Sequence, residues 1–236
     1  MGERRVLTDD APMVSIAELS DAARHSEMAS PGCELVGVEQ TVVCGLDADS
    51  RTEPIGFAAS LARRLGWRLT LVPLPEAATQ DERLGRLLAA STREQAGFVV
   101  TQAVGGGASA AALVDQWRGA ACPLIAVPPG TPALGTGPVF CCIGSNGSSG
   151  AAARAASRLA NAIGARLRLV HVVSHAQPPE SAALLAVGAP GGDAASPDGV
   201  VAAVLRDSRV PVMVVPGGAP VTRASSTGRG PVRSWR

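Results

Sequence analysis

Residues 41–75 read TVVCGLDADSRTEPIGFAASLARRLGWRLTLVPLP, and residues 138–172 read PVFCCIGSNGSSGAAARAASRLANAIGARLRLVHV. Each stretch is an apolar run, a small polar turn, an Ala-rich segment that ends at a glycine, and then Arg-Leu-x-Leu-Val. A second pair follows in the same order, ACPLIAVPPG at 121–130 and SRVPVMVVPGG at 208–218. A strand–helix–strand unit that occurs twice predicts a duplicated α/β fold with parallel sheets.

The chain has 236 residues, which is enough for one large domain or two small ones. The repeat favours two. We predict a lead segment at 1–35, a first repeat at 36–130, a linker at 131–137, a shortened second repeat at 138–218 and an Arg-containing disordered tail at 219–236. The second repeat lacks a counterpart of the helix that the leucine spacing predicts at 81–95.

Composition excludes several classes of function. All 21 basic residues are arginine, so the chain has neither the lysine of a Walker A loop nor a lysine for Schiff-base chemistry. The formal net charge is only +1, which indicates no overall preference for nucleic acid or for acidic membranes. The uncharged stretch Gly119–Ala153 is interrupted by prolines and is therefore not a membrane helix. A soluble protein is expected.

The five cysteines are odd in number and none lies in a CxxC pair. Cys44, Cys141 and Cys142 fall in predicted buried strands, where cysteine acts as a small apolar residue. This pattern indicates a reducing, cytoplasmic environment. His171 and His175 would be about 13 Å apart on an extended chain, too far for one metal ion, and we predict no metal site.

The pattern VVCGLDADS, an Ala-rich helix and LTLV, with ALLAVGAPGG and VPVMVVP near the end, resembles the universal stress protein family. The resemblance covers roughly 36–130 and 136–218 and implies a tandem pair of Rossmann-like domains. Domains of that family are five-stranded and parallel, and they commonly dimerise through the last strand. Some members bind ATP or AMP.

The resemblance also implies where a nucleotide would bind. Asp47, at the end of the first strand, matches the Asp that contacts adenine. Gly188 and Gly191 keep the Gly-x2-Gly start of the phosphate loop, and Asp198 and Gly199 stand where the family has Gly-Ser. Glycines let backbone N–H groups approach phosphate at a helix N-terminus, whereas a carboxylate at that place would repel it.

Other features match the nucleotide motif less well. In the first repeat the phosphate loop reads TQAVGGGASAAAL, so that Ala110 and Ala111 replace Gly-Ser. Asp47 could instead be an ordinary turn and helix-entry residue, and the glycines could simply permit a tight strand-to-helix turn. The segment Gly144–Gly150 offers N–H groups and hydroxyls at the start of a helix, where a serine could instead act as an N-cap.

No carboxylate pair, Ser/His/Asp set or Gly-x-Ser-x-Gly motif is present, and the chain is predicted not to be an enzyme. The leading hypothesis is a stress-response or regulatory module with degenerate binding of ATP or AMP. The alternative is a ligand-free interaction scaffold. Because the strands Pro123–Val127 and Val210–Val215 are strongly apolar, we predict that they pair with each other. This would form an internal pseudo-dimer in place of the family's homodimer.

Overall fold

The computed structural model describes residues 40–47, 52–103, 107–143, 149–171, 182–189 and 200–217. Within them, short runs rich in Val, Leu and Ile form eight strands: Thr41–Asp47 (β1), Arg68–Leu74 (β2), Ala96–Gln102 (β3), Leu124–Val127 (β4), Val139–Ile143 (β5), Leu167–His171 (β6), Leu184–Gly188 (β7) and Val212–Val215 (β8). The intervening segments form five helices: Glu53–Leu65 (α1), Gln80–Arg93 (α2), Gly107–Trp117 (α3), Ser149–Ile163 (α4) and Val200–Asp207 (α5). The lead segment and the tail lie outside the described residues.

All eight strands belong to one sheet, in the order β2-β1-β3-β4-β8-β7-β5-β6. Every neighbouring pair is parallel except β4 and β8, which are antiparallel, with Ile125 opposite Met213. The predicted α/β class with a mostly parallel, Rossmann-like arrangement is therefore confirmed. The predicted pairing of the two last strands is confirmed as well, and it joins the two halves of the chain into a single sheet.

Each helix end has a local cause. Pro54 stands in the first turn of α1, where its missing N–H costs nothing. The helix ends at Gly66, whose φ of 68° is the left-handed conformation that glycine tolerates. α2 begins with a capping box, in which the backbone N–H of Glu82 donates to Thr79 Oγ1 at 3.3 Å and the Thr79 N–H donates to Glu82 Oε2 at 2.8 Å.

The helices cover the two faces of the sheet in different groups. On one face, α1 and α4 pack against alternate strand residues, among them Cys44, Phe98 and Met213. On the other face, α2, α3 and α5 pack against the residues between them, among them Val43, Val99 and Val214. We call these the α1/α4 face and the α2/α3/α5 face. Both clusters contain residues from both halves of the chain.

Gly56 lies where α1 meets the linker, and a Cβ there would overlap the carbonyl oxygen of Pro132. We expect Gly56→Ala to lower the free energy of unfolding by about 1–3 kcal/mol, although alanine normally favours a helix over glycine. Gly85 of α2 has open space around it, so Gly85→Ala should raise stability by about 0.5–1 kcal/mol. Urea unfolding measures both, and stabilisation by both variants would contradict the close contact with the linker.

Candidate functional site

The connections of the first half create a crevice between β1 and β3. β1 leads into α1 on one face of the sheet, whereas β3 leads into α3 on the other. Because these neighbouring strands send their chains to opposite faces, a gap opens at their carboxyl ends. Ligands of open α/β sheets bind at such switch points.

A cleft of about 190 Å³ lies at this point. Its apolar side is made by Gly45 of β1, Leu74 of β2 and three leucines of the helices, Leu84, Leu87 and Leu113. Its polar side chains are Gln80, Arg83, Thr101 and Gln102, and it is completed by Pro54, Ala78 and Ala103. A mainly apolar cleft with a few polar groups at its rim is the usual form of a small-molecule site.

Gly45 keeps this cleft open. A Cβ built on Gly45 would lie 2.9 Å from Cδ1 of Leu74 and 3.4 Å from Cδ2 of Leu87. Any larger residue would therefore push into the leucines that line the cleft or occupy its floor. The glycine within the first apolar run is explained by this close packing beside the cleft.

The rim side chains divide into fixed and free groups. Gln80 Nε2 donates to the carbonyl oxygen of Ser109 at 3.0 Å and so ties α2 to α3. The guanidinium of Arg83 donates to the carbonyl oxygens of Ala78 at 3.1 Å and Glu76 at 3.0 Å. In the part of the chain that the structure describes, the Thr101 hydroxyl and the Gln102 amide form no hydrogen bond. They are the groups available to a ligand.

The predicted site residues do not come together. Asp47 is the last residue of β1 and is paired with Leu74, a residue of the cleft. Gly188 is the last residue of β7 and is paired with Val215. β3, β4 and β8 lie between these two strands. Because β4 and β8 are antiparallel, the strands of the two halves run in opposite directions, and their carboxyl ends lie at opposite ends of the strands. Gly191 and Gly199 lie outside the described residues.

The remaining sequence candidates add little to the site. Gly107 begins α3, and Ser149 and Gly150 lie in the first turn of α4, while residues 104–106 and 144–148 of the two glycine-rich segments lie outside the described residues, as does His175. Among the described residues, no cluster of three His, Cys, Asp or Glu side chains could hold a metal ion. In the same ranges, no helix is long and apolar enough to cross a membrane.

Four of the five cysteines are buried and free: Cys44, Cys122, Cys141 and Cys142. Burial raises the pKa of Cys44 to about 12 and the pKa of each of the other three to about 11. Their thiols stay protonated at neutral pH and are poor nucleophiles. This fits the structural role predicted for the cysteines of the strands.

The residues that line the cleft were mostly missed by sequence motifs. Gln80, Thr101 and Gln102 belong to no pattern, and they meet only because β1 and β3 are neighbours in the sheet. A positional signal could have found two of them, since Thr101 and Gln102 end β3, the strand beside β1, which ends at Asp47.

Comparison with known proteins assigns no function. No family model matches the chain, and no curated protein matches it. Among solved structures, the chain is similar to the crystal structure of a functionally unknown protein from Pseudomonas aeruginosa. The two share 11% identity, the similarity covers 88% of this chain and 90% of that one, and the TM-score is 0.44.

Proposed function

We propose that the chain is a non-catalytic module of the universal stress protein type that binds an adenine nucleotide weakly in the cleft between β1 and β3. The observation that carries the proposal is the position of the cleft. It opens at the carboxyl end of β1, beside the strand end formed by Asp47, where the sequence resemblance expects adenine. A cytoplasmic stress-response or regulatory role goes with this proposal.

The order of the strands supports a duplicated architecture. The first half reads β2-β1-β3-β4 and the second half reads β6-β5-β7-β8 from its own outer edge. The halves meet at their last strands, as two family domains would meet in a dimer. The described residues hold four strands in each half, whereas the resemblance implies five.

Two features of the cleft favour weak binding. Its volume is below the roughly 300–1,000 Å³ of pockets for drug-sized ligands, so that it accepts a base-sized group while the rest of a nucleotide lies over the rim. Arg83 is the cation beside the cleft, and its guanidinium is already bonded to two backbone carbonyls. A phosphate there gains less than it would from an unbonded arginine.

Calorimetric titration of ATP and AMP tests the proposal with two kinds of variant. Ala103→Leu fills the cleft, and we expect it to weaken binding at least about tenfold, which corresponds to about 1.4 kcal/mol. Ala96→Leu is the matched control, because Ala96 is half-buried at the other end of β3. Thr101→Val removes a rim hydroxyl, and Thr70→Val on β2 is its control.

The outcomes separate the two candidate functions. Saturable binding that Ala103→Leu and Asp47→Ala weaken and Ala96→Leu leaves unchanged supports a nucleotide site in the first half. No heat of binding at millimolar nucleotide would reject it. The second candidate, a ligand-free interaction scaffold, is favoured by the small volume of the cleft and by the bonded state of Arg83.

A further inference from the structure

The helices on the two faces of the sheet carry different charges. On the α2/α3/α5 face the helical charges balance, with Asp81, Glu82, Asp115 and Asp207 against Arg83, Arg86, Arg93 and Arg206. On the α1/α4 face, α4 has no carboxylate and α1 has only Glu53, against Arg63, Arg64, Arg154 and Arg158. The described helices of the α1/α4 face are therefore net positive.

Among the described residues, the arginines of the α1/α4 face also lack acidic partners. Arg63, Arg154 and Arg158 are exposed and take part in no ion pair within the described ranges. Arg64 donates to the carbonyl oxygens of Gly135 at 3.2 Å and Leu134 at 3.4 Å, which leaves its charge uncompensated. On the opposite face, by contrast, Arg206 pairs with Asp207 at 2.8 Å.

Two exposed leucines lie on this same face. Leu71 and Leu169 are the large apolar side chains that the described part of the chain exposes, at 44% and 50%. They occupy the same place in the repeated Arg-Leu-x-Leu-Val motif, one on each outer strand of the sheet. In register they stand opposite Cys44 and Cys141, which are buried under α1 and α4.

We propose that the α1/α4 face binds an acidic, amphipathic polypeptide segment of a partner protein. Carboxylates of the segment would neutralise the exposed guanidiniums, and its apolar side chains would cover Leu71 or Leu169. This surface lies across the sheet from the leucines of α2 and α3 that line the cleft. The inference is therefore independent of nucleotide binding.

The position of the leucines favours a polypeptide over a bilayer or a nucleic acid as the anionic partner. Leu71 and Leu169 belong to strands of the sheet, whereas the arginines belong to the helices packed on that face, so a partner that covers a leucine must reach past α1 or α4 to the sheet. A flat bilayer would meet the helices first and would not reach the leucines. A phosphate backbone would neutralise the arginines and would leave the leucines uncovered.

Fluorescence anisotropy with a labelled helical peptide of Glu and Leu tests the proposal on the full chain. Arg154→Gln/Arg158→Gln removes two charges from α4, and we expect it to weaken binding about tenfold. The matched control, Arg86→Gln/Arg93→Gln, removes two charges from the other face and should change binding less than about twofold. Leu71→Asn/Leu169→Asn should also weaken binding, because it removes the apolar contact.

Further probes identify the kind of partner. Binding of the Glu/Leu peptide should fall between about 50 and 300 mM salt, since the guanidiniums are exposed, and a Lys/Leu peptide should not bind. The proposal is overturned if the two arginine pairs have equal effects. It is also overturned if a single-stranded oligonucleotide or phosphatidylserine vesicles bind more tightly than the Glu/Leu peptide.

Discussion

Trp117→Ala should lower the free energy of unfolding by about 3–5 kcal/mol, the usual range for removing a buried aromatic side chain. Among the described residues, Trp117 has the largest fully buried side chain and is 0% exposed. Its indole N–H donates to the carbonyl oxygen of Cys122 at 2.8 Å, across the turn that leads into β4. The variant therefore leaves both a cavity and a buried carbonyl without its donor.

Urea unfolding followed by circular dichroism measures this loss, and the midpoint should fall by more than about 1 M. Trp117→Phe keeps most of the apolar volume and loses the hydrogen bond, so we expect a smaller loss of about 1–2 kcal/mol. Trp67→Ala is the matched control, because Trp67 is half-buried and stacks on Phe98 with ring centroids 5.4 Å apart. A loss at Trp67 as large as that at Trp117 would contradict the central role of Trp117.

Stability should also fall steeply at alkaline pH. Burial raises the pKa of Cys44 to about 12, and the pKa values of Cys122, Cys141 and Cys142 to about 11, from a reference value of 9.0. The thiols of the unfolded chain therefore lose protons at a lower pH than those of the folded chain. Their contribution to stability is fully present below about pH 9 and is lost as pH rises toward 11 and 12.

The composition of the chain attributes this loss of stability to the thiols. The chain has no lysine and no tyrosine, and arginine stays charged, so thiols are the side chains that titrate in this window. Each buried thiol can lower the free energy of unfolding by up to about 1.4 kcal/mol per pH unit. Urea midpoints under reducing conditions, compared between about pH 8 and pH 10.5, measure the effect. Cys44→Ala should reduce the slope, and a constant midpoint would refute the prediction.

Much of the fold follows from the apolar runs of the sequence and from the glycines and prolines that separate them. The apolar run that opens the second copy of the unit forms β5, Val139–Ile143, and the Ala-rich segment after it forms α4, which stops at Ile163 just before Gly164. The Arg-Leu-x-Leu-Val motif of the first copy ends at Val72, yet β2 continues through Pro73 to Leu74. A proline is tolerated there because β2 is an outer strand whose free edge needs no N–H.

The candidate site was less accessible to sequence reasoning. The polar residue that follows the first apolar run predicts a strand end at Asp47, and β1 ends there because this pattern is local. The cleft beside it needs α2, β2 and β3, and its shape depends on how leucines such as Leu84 and Leu113 pack across the sheet. Such contacts join residues that are distant in sequence, and no local pattern specifies them.

The antiparallel β4–β8 pair has a further consequence for communication within the molecule. A ligand in the cleft of the first half cannot touch the carboxyl ends of β5 and β7, because these strands run in the opposite direction to β1 and β3. Among the described residues, the carboxyl ends of the two halves therefore have no ligand site in common. Coupling between the halves would instead have to pass through the body of the sheet, by the ladder from Leu124 to Ala126 and by the two hydrophobic clusters that the halves share.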